Sequence, residues 1–141
     1  MKKPLALLAA SLVIACASAH ANDPKAAIAA LDERLARIGA AKLEGTDKAG
    51  DKLVPAVYFG ARKINNNYDV VDEIKKNFGA TATVFVKDGD EFVRVSTNVL
   101  TPEGKRGVGT QLARNAAYAA VSKGDQFCGP IDVLGTAYDA C

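Results

Sequence analysis

The sequence predicts a mixed α/β (α+β) domain. Two observations carry this. Apolar residues recur at helical spacing near the start and again near the middle, and two β-rich runs are joined through Asp88-Gly89. The first helix begins at Asn22-Asp23-Pro24, where Asp23 can cap and Pro24 suits the first helical position. Ile28, Leu31, Leu35 and Ile38 then repeat at three and four, and Glu33 and Arg37 form an i,i+4 pair. The pattern predicts a helix over about 24–41. Its apolar stripe can cover a sheet or form a dimer seam, and its short length favours the sheet.

Residues 45–52 are polar and predict a connector. Residues 53–64 mix Val, Tyr, Phe and Ile with Pro55 and Gly60, which predicts an edge strand with a bend. Asn65-Asn66-Asn67 is a turn, with Asn67 placed to cap a second helix. That helix carries Val70, Val71, Ile74 and Phe78 on one side, and Gly79 ends it.

Residues 80–87 and 91–99 form the clearest local signal. An Asp88-Gly89 loop predicts a type I′ hairpin. That loop sets Lys87 opposite Asp90, Phe85 opposite Phe92, Thr83 opposite Arg94 and Thr81 opposite Ser96. Ala82 with Val95 and Val84 with Val93 occupy the other face. One face is thus dry and suited to packing under a helix. The other gathers Phe85, Phe92, Thr81, Thr83, Arg94, Ser96 and Asn98. Such a face either lines a small-molecule pocket or is simply solvated. Beyond it, Thr101-Pro102-Glu103-Gly104 predicts a β-turn. Asn115 caps a short helix over 116–123 that Gly124 closes. Residues 126–134 predict a strand, Gly135 a turn, and 137–141 the start of a further segment.

Export is the expected fate of the chain. Lys2 and Lys3 precede an apolar run over 5–15, and Ala19-His20-Ala21 supplies an A-x-A site, the pattern of a cleaved secretory signal. The run is shorter than the roughly 20 apolar residues of a membrane span. Cleavage is expected after Ala21, leaving residues 22–141 as one domain, periplasmic or secreted. Val13-Ile14-Ala15-Cys16 resembles a lipobox, and lipidation at Cys16 is the alternative processing.

Composition narrows the chemistry. Lys2 and Lys3 account for the excess of 18 basic over 16 acidic residues, so the exported chain carries no net charge. Nucleic acid and polybasic membrane contact are therefore not expected as partners. The single histidine, His20, lies in the predicted signal. No histidine is then left for a triad, a metal site or a proton shuttle, and an enzyme is not expected. Gly107-Val108-Gly109 lacks the third glycine of a dinucleotide loop. No P-loop, zinc or haem-attachment motif occurs, so no cofactor or metal is expected. Cys128 and Cys141 are the pair left after cleavage. In an oxidising compartment they are expected to form a disulfide, joining the last two segments.

The run Thr83-Val84-Phe85-Val86-Lys87-Asp88-Gly89-Asp90-Glu91-Phe92-Val93-Arg94-Val95-Ser96-Thr97-Asn98 resembles the central hairpin of extracellular Cache sensor domains, most closely the Cache 3/Cache 2 fusion type. Gly104-Lys105-Arg106-Gly107-Val108-Gly109-Thr110 resembles that family's following turn. Asn115-Ala116-Ala117-Tyr118 resembles its short helix. Phe127-Cys128-Gly129 and Leu134-Gly135-Thr136-Ala137-Tyr138 resemble its next strand. The resemblance covers about 53–141, with the N-terminal helix compatible. It implies a long N-terminal helix packed on a central antiparallel, PAS-like sheet with short flanking helices. It also implies reversible binding of a small organic acid or amino acid. In the family the sheet usually continues past the position of Tyr138 into a closing hairpin, so the expectation is either a piece that lacks the C-terminal strands or a sheet edge open to pairing. No transmitter accompanies the domain, so a membrane-bound signalling partner is expected, and a homodimer is possible through the helix.

Arg94 is the expected anchor for a ligand carboxylate, because guanidinium is a planar donor fork that matches carboxylate geometry. The alternative is an arginine lying on the sheet and paired to an acid. Ser96, Asn98 and Thr83 are expected to complete the hydrogen bonding. Phe85 and Phe92 are expected to wall the site. Tyr118 and Tyr58 are candidate lids, each equally readable as a core tyrosine. Arg106 is expected in a solvated turn.

Overall fold

The computed structural model describes residues 23–141. The predicted signal, its A-x-A site, Cys16 and His20 lie outside the described residues. The first helix, α1 (Pro24–Ile38), starts as its sequence dictates, with the Asp23 carboxylate accepting from Lys25 N at 3.0 Å and Pro24 in the first turn. Ala27, Leu31 and Leu35 are buried along one stripe. The helix stops at Ile38 rather than near residue 41. Gly39 there has φ 151° and lies against Gly60, so close that an added Cβ would sit 2.5 Å from Gly60 Cα. Gly60 N donates to Ala40 O at 2.9 Å, and the chain leaves the helix to enter a strand.

That strand, β1 (Ala41–Ala49), replaces most of the expected polar connector. It pairs antiparallel with β2 (Lys52–Phe59), which also pairs with β3 (Arg62–Lys63). Nearly all of β1 is exposed. Backbone pairing holds most of it, joined at its far end by the Asp47–Lys63 ion pair and buried Ala49, so its side chains carry no alternation to read. β2 lies in the middle of this ladder, not at an edge. Pro55 is accommodated because the register slips opposite it, between Leu43 and Thr46, which is where a missing N–H does least harm. Buried Asn65 clamps the same stretch, accepting from Val57 N at 2.7 Å and donating to Pro55 O at 3.2 Å.

The second helix, α2 (Asp69–Phe78), follows the expected turn. Asn67 is not the cap expected of it: the N-cap position falls on Tyr68, which makes no side-chain cap bond, and Asn67 accepts from Asp69 N at 3.2 Å within the turn. Gly79 closes the helix at φ 69°. Val70, Val71 and Ile74 are buried between α1 and the sheets. Arg34 on α1 meets Glu73 on α2 at 2.7 Å.

The hairpin of β4 (Thr83–Asp88) and β5 (Glu91–Thr97) is present, with a different register from the one the sequence suggests. Asp88 faces Glu91, so Gly89-Asp90 is the loop. Gly89 alone takes positive φ, as a type II′ turn requires. Lys87 therefore faces Phe92, Val86 faces Val93, and Phe85 faces Arg94. The pairing then slips: Val84 faces Ser96, Thr83 faces Thr97, and Val95 is an extra residue in β5.

After the turn at 101–104, the chain runs back along β5. Gly109 N donates to Arg94 O at 2.8 Å, Arg94 N to Thr110 O at 2.9 Å, and Leu112 N to Phe92 O at 2.9 Å. The third helix, α3 (Ala116–Val121), is capped by Asn115, which accepts from Tyr118 N at 3.1 Å. It ends two residues earlier than expected, and Gly124 turns the chain at φ 82°. A last hairpin joins β6 (Gly129–Val133) to β7 (Thr136–Ala140) through Leu134-Gly135. The Cys128–Cys141 disulfide closes its base, and β7 rests against α1. The single central sheet of the expectation is thus three small antiparallel ladders, with β2 set against β4. The core lies between α1, α2 and these ladders, centred on Leu31, Leu35, Val54, Val71, Val86 and Val93.

Gly109 joins the return segment to the first ladder. At φ 88°, an added Cβ would sit 2.5 Å from Ala49 O. Gly109→Ala is expected to lose about 1–3 kcal/mol, read as a lower urea midpoint at unchanged slope.

Candidate functional site

A cavity of about 1090 Å³ opens between α1, the β4–β5 hairpin, α3 and the β6–β7 hairpin. Ile28 and Leu31 face it from α1, Phe85, Phe92 and Arg94 from the hairpin, and Phe127 and Tyr138 from the disulfide-closed segment. The last hairpin thus covers the cavity rather than extending the sheet.

Arg94 is the one ionisable side chain among the buried described residues, with 3% of its surface exposed. Its Nη1 donates to Thr110 Oγ1 and Gln111 O, both at 2.9 Å. Its Nε is buried without a hydrogen-bond partner among the described residues. No carboxylate of the described residues pairs with it. The guanidinium carbon lies 5.0 Å from the centre of the Phe85 ring, a cation–π contact. Burial pulls its pKa below the ordinary arginine value. It remains charged at neutral pH, because that ordinary value is far above 7. The alternative of an arginine paired to an acid therefore does not describe this one. The return segment holds Nη1, while Nε is enclosed with neither a hydrogen-bond partner among the described residues nor solvent contact.

The bulge separates the remaining predicted residues. Phe85 and Arg94 face each other across the ladder, and Thr83 and Phe92 also line the cavity. Ser96 and Asn98 do not. Past Val95 they turn toward α2, where Ser96 Oγ donates to Asn67 O at 2.6 Å. Asn98 accepts from Ala82 N at 2.8 Å and donates to Val71 O at 2.7 Å. Thr83 Oγ1 shares a 2.6 Å hydrogen bond with Thr97 Oγ1.

Tyr118 does not line the cavity either. Its hydroxyl donates to Asp90 O at 2.6 Å, and its ring packs edge-on against Phe92 at 5.7 Å. It fastens α3 to the hairpin tip and backs one cavity wall. Tyr58 lies away on β2, with Lys42 Nζ 5.7 Å from its ring. Arg106 is not simply solvated. It donates to both Asp72 carboxylate oxygens at 2.8 Å and to Thr97 O at 3.0 Å, over the Tyr68 ring. That guanidinium holds the Asp72 carboxyl below its ordinary value of 3.8.

Thr110 and Gln111 were missed as positioners of Arg94. The Gly107-Val108-Gly109 pattern was a usable signal, because paired glycines mark close backbone approach as well as nucleotide loops. Phe127 and Tyr138 were missed as cavity residues, because nothing local says where the last hairpin folds back.

The model of the Cache 3/Cache 2 fusion domain family matches residues 9–140. The chain belongs to this family of Cache domains, which are generally extracellular small-molecule sensor modules. No curated protein and no solved structure matches the chain. Among the described residues, no helix is long and apolar enough to cross a membrane.

Two predictions follow from the sorting at the bulge. Asn98→Ala strands Ala82 N in the interior and removes a second donor from the helical carbonyl of Val71, and should cost about 2 kcal/mol in urea unfolding, with ligand affinity unchanged. Arg106→Gln should cost about 0.5 kcal/mol at pH 7, since the pair is half exposed. A depressed carboxyl contributes stability that is fully present above its unfolded pKa and is lost as pH falls through its folded pKa, so the Asp72-dependent part of this difference should begin to shrink near pH 3.8 and be smaller at pH 3 than at pH 7. Parallel denaturation curves at pH 7 and pH 3 measure it.

Proposed function

We propose that this chain is an exported sensor module that binds a small carboxylate or amino acid at Arg94. It passes its ligand state to a separate membrane-bound partner, without catalysis. One observation carries the proposal: a buried guanidinium borders a large cavity, and among the described residues its Nε has no partner and no carboxylate pairs with it. A buried charge costs several kcal/mol in lost hydration unless something compensates it. A bound carboxylate would do so, bonding the guanidinium as the cavity wall beside the enclosed Nε gives way to admit it. Family membership and the N-terminal export signature support the same role and a periplasmic or secreted location. The PAS-like arrangement of α1 over the sheets fits a domain whose ladders shift on ligand entry. α1 would then offer the surface for relay or self-association.

A second reading makes the same domain a structural or assembly protein of the cell envelope. It is favoured by β1, a strand at the ladder's edge that leaves Leu43 60% exposed, with Leu53 of β2 64% exposed toward the other end of the same ladder. Concentration-dependent association in ultracentrifugation without any ligand response would favour it.

A thermal-shift screen of small carboxylates and amino acids tests the sensor role. A true ligand at 100 times its Kd should stabilise by about 2.7 kcal/mol. Arg94→Gln should remove that response while the circular dichroism of the fold is kept. A well-folded sample that no carboxylate or amino acid stabilises would sink the proposal.

A further inference from the structure

The chemistry of the cavity narrows the ligand further, resting on the sensor role just proposed. Arg94 is the sole buried charge in the lining. The other charged groups there, Asp32, Lys75, Asp125 and Asp139, are all exposed, at the rim. The body of the cavity is built by Ile28, Leu31, Phe85, Phe92, Phe127 and Tyr138. We infer that the site takes a monocarboxylate with a large apolar body and no ammonium group, the carboxylate on Arg94 and the apolar body under the β6–β7 hairpin.

Three arguments lead there. An α-amino acid would bring its ammonium to the depth of Arg94, where no buried acid meets it. The rim aspartates are solvated, and exposed pairs contribute little. The ammonium would be desolvated beside a guanidinium, with like charges repelling. A dicarboxylate fares no better, since its second charge finds only exposed Lys75 among the lining cations. Size excludes the smallest acids as the best fit. Pockets of about 300–1,000 Å³ hold drug-sized ligands, and this one measures about 1090 Å³. A two- or three-carbon acid would satisfy Arg94 and leave the four aromatic rings against water. An apolar body removes them from it, and burial of such surface is the main non-directional source of affinity.

Isothermal titration on the purified, disulfide-intact chain decides this with four matched probes: 4-phenylbutyrate, its carboxamide, 2-amino-4-phenylbutyrate and propionate. The expected order places 4-phenylbutyrate first. Losing the charge, adding the ammonium or removing the ring should each weaken binding by about tenfold or more. Arg94→Gln should bring 4-phenylbutyrate down to the level of its amide, and Arg94→Lys should restore only part of the difference. If propionate or the amino acid binds as tightly as 4-phenylbutyrate, with Arg94 still required, this inference is overturned and the sensor role stands. If no probe binds, or the amide equals the acid, this inference is overturned, and the wider screen of carboxylates and amino acids decides the sensor role by itself. The ligand series uses the unaltered chain, so the outcome holds even where a variant does not fold.

Discussion

Val95 has no partner across the β4–β5 ladder, and this one unpaired residue decides which surface each later side chain of β5 meets. In an unbroken strand, Arg94, Ser96 and Asn98 would share a face, because side chains alternate with period two. An inserted residue reverses the alternation from that point. Arg94 stays with Phe85 on the cavity side, while Ser96 and Asn98 are carried to the α2 side. There they bond backbone groups of the α2 side and of the strand entry: Asn67 O, the helical carbonyl of Val71, and Ala82 N. The polar tail of β5 therefore fastens the helix to the sheet, and the cavity is left with a single buried charge.

The rest of the site depends on that division. Arg94 needs a rigid seat, since a mobile guanidinium would reach solvent and lose its directionality. The return segment supplies the seat through backbone and side chain together. Gly109 and Thr110 bond the Arg94 main chain, while Thr110 and Gln111 take its Nη1. Gly109 in turn is held against Ala49, so the seat of the arginine is tied to the first ladder. The disulfide-closed hairpin acts from the other side. It brings Phe127 and Tyr138 over the cavity, and closing its base with Cys128–Cys141 limits the ways it can open.

Much of this was legible in local chemistry. The caps at Asp23 and Asn115, the glycine stop at Gly79 and the apolar stripes of α1 and α2 involve residues a few positions apart, whose preferences act before any tertiary contact. Phe85, Phe92, Thr83 and Arg94 were correctly placed on one face, because the one-residue error in the loop moves each pairing by two and keeps the parity. β1 was not legible. Its side chains are exposed, so no burial pattern was written into residues 41–49.

The sequence by itself determined a helix-and-hairpin α+β domain, a cysteine pair suited to an oxidising compartment and an arginine on the mixed face of its hairpin. Those properties follow from short-range spacing and residue type. Only the tertiary structure decided that Ser96 and Asn98 bond the α2 side, that Tyr118 braces a cavity wall, and that Arg94 has no acidic partner among the described residues. A bulge depends on what the strand packs against, and a missing partner is a fact about every surrounding element. Neither can be read from one stretch of chain.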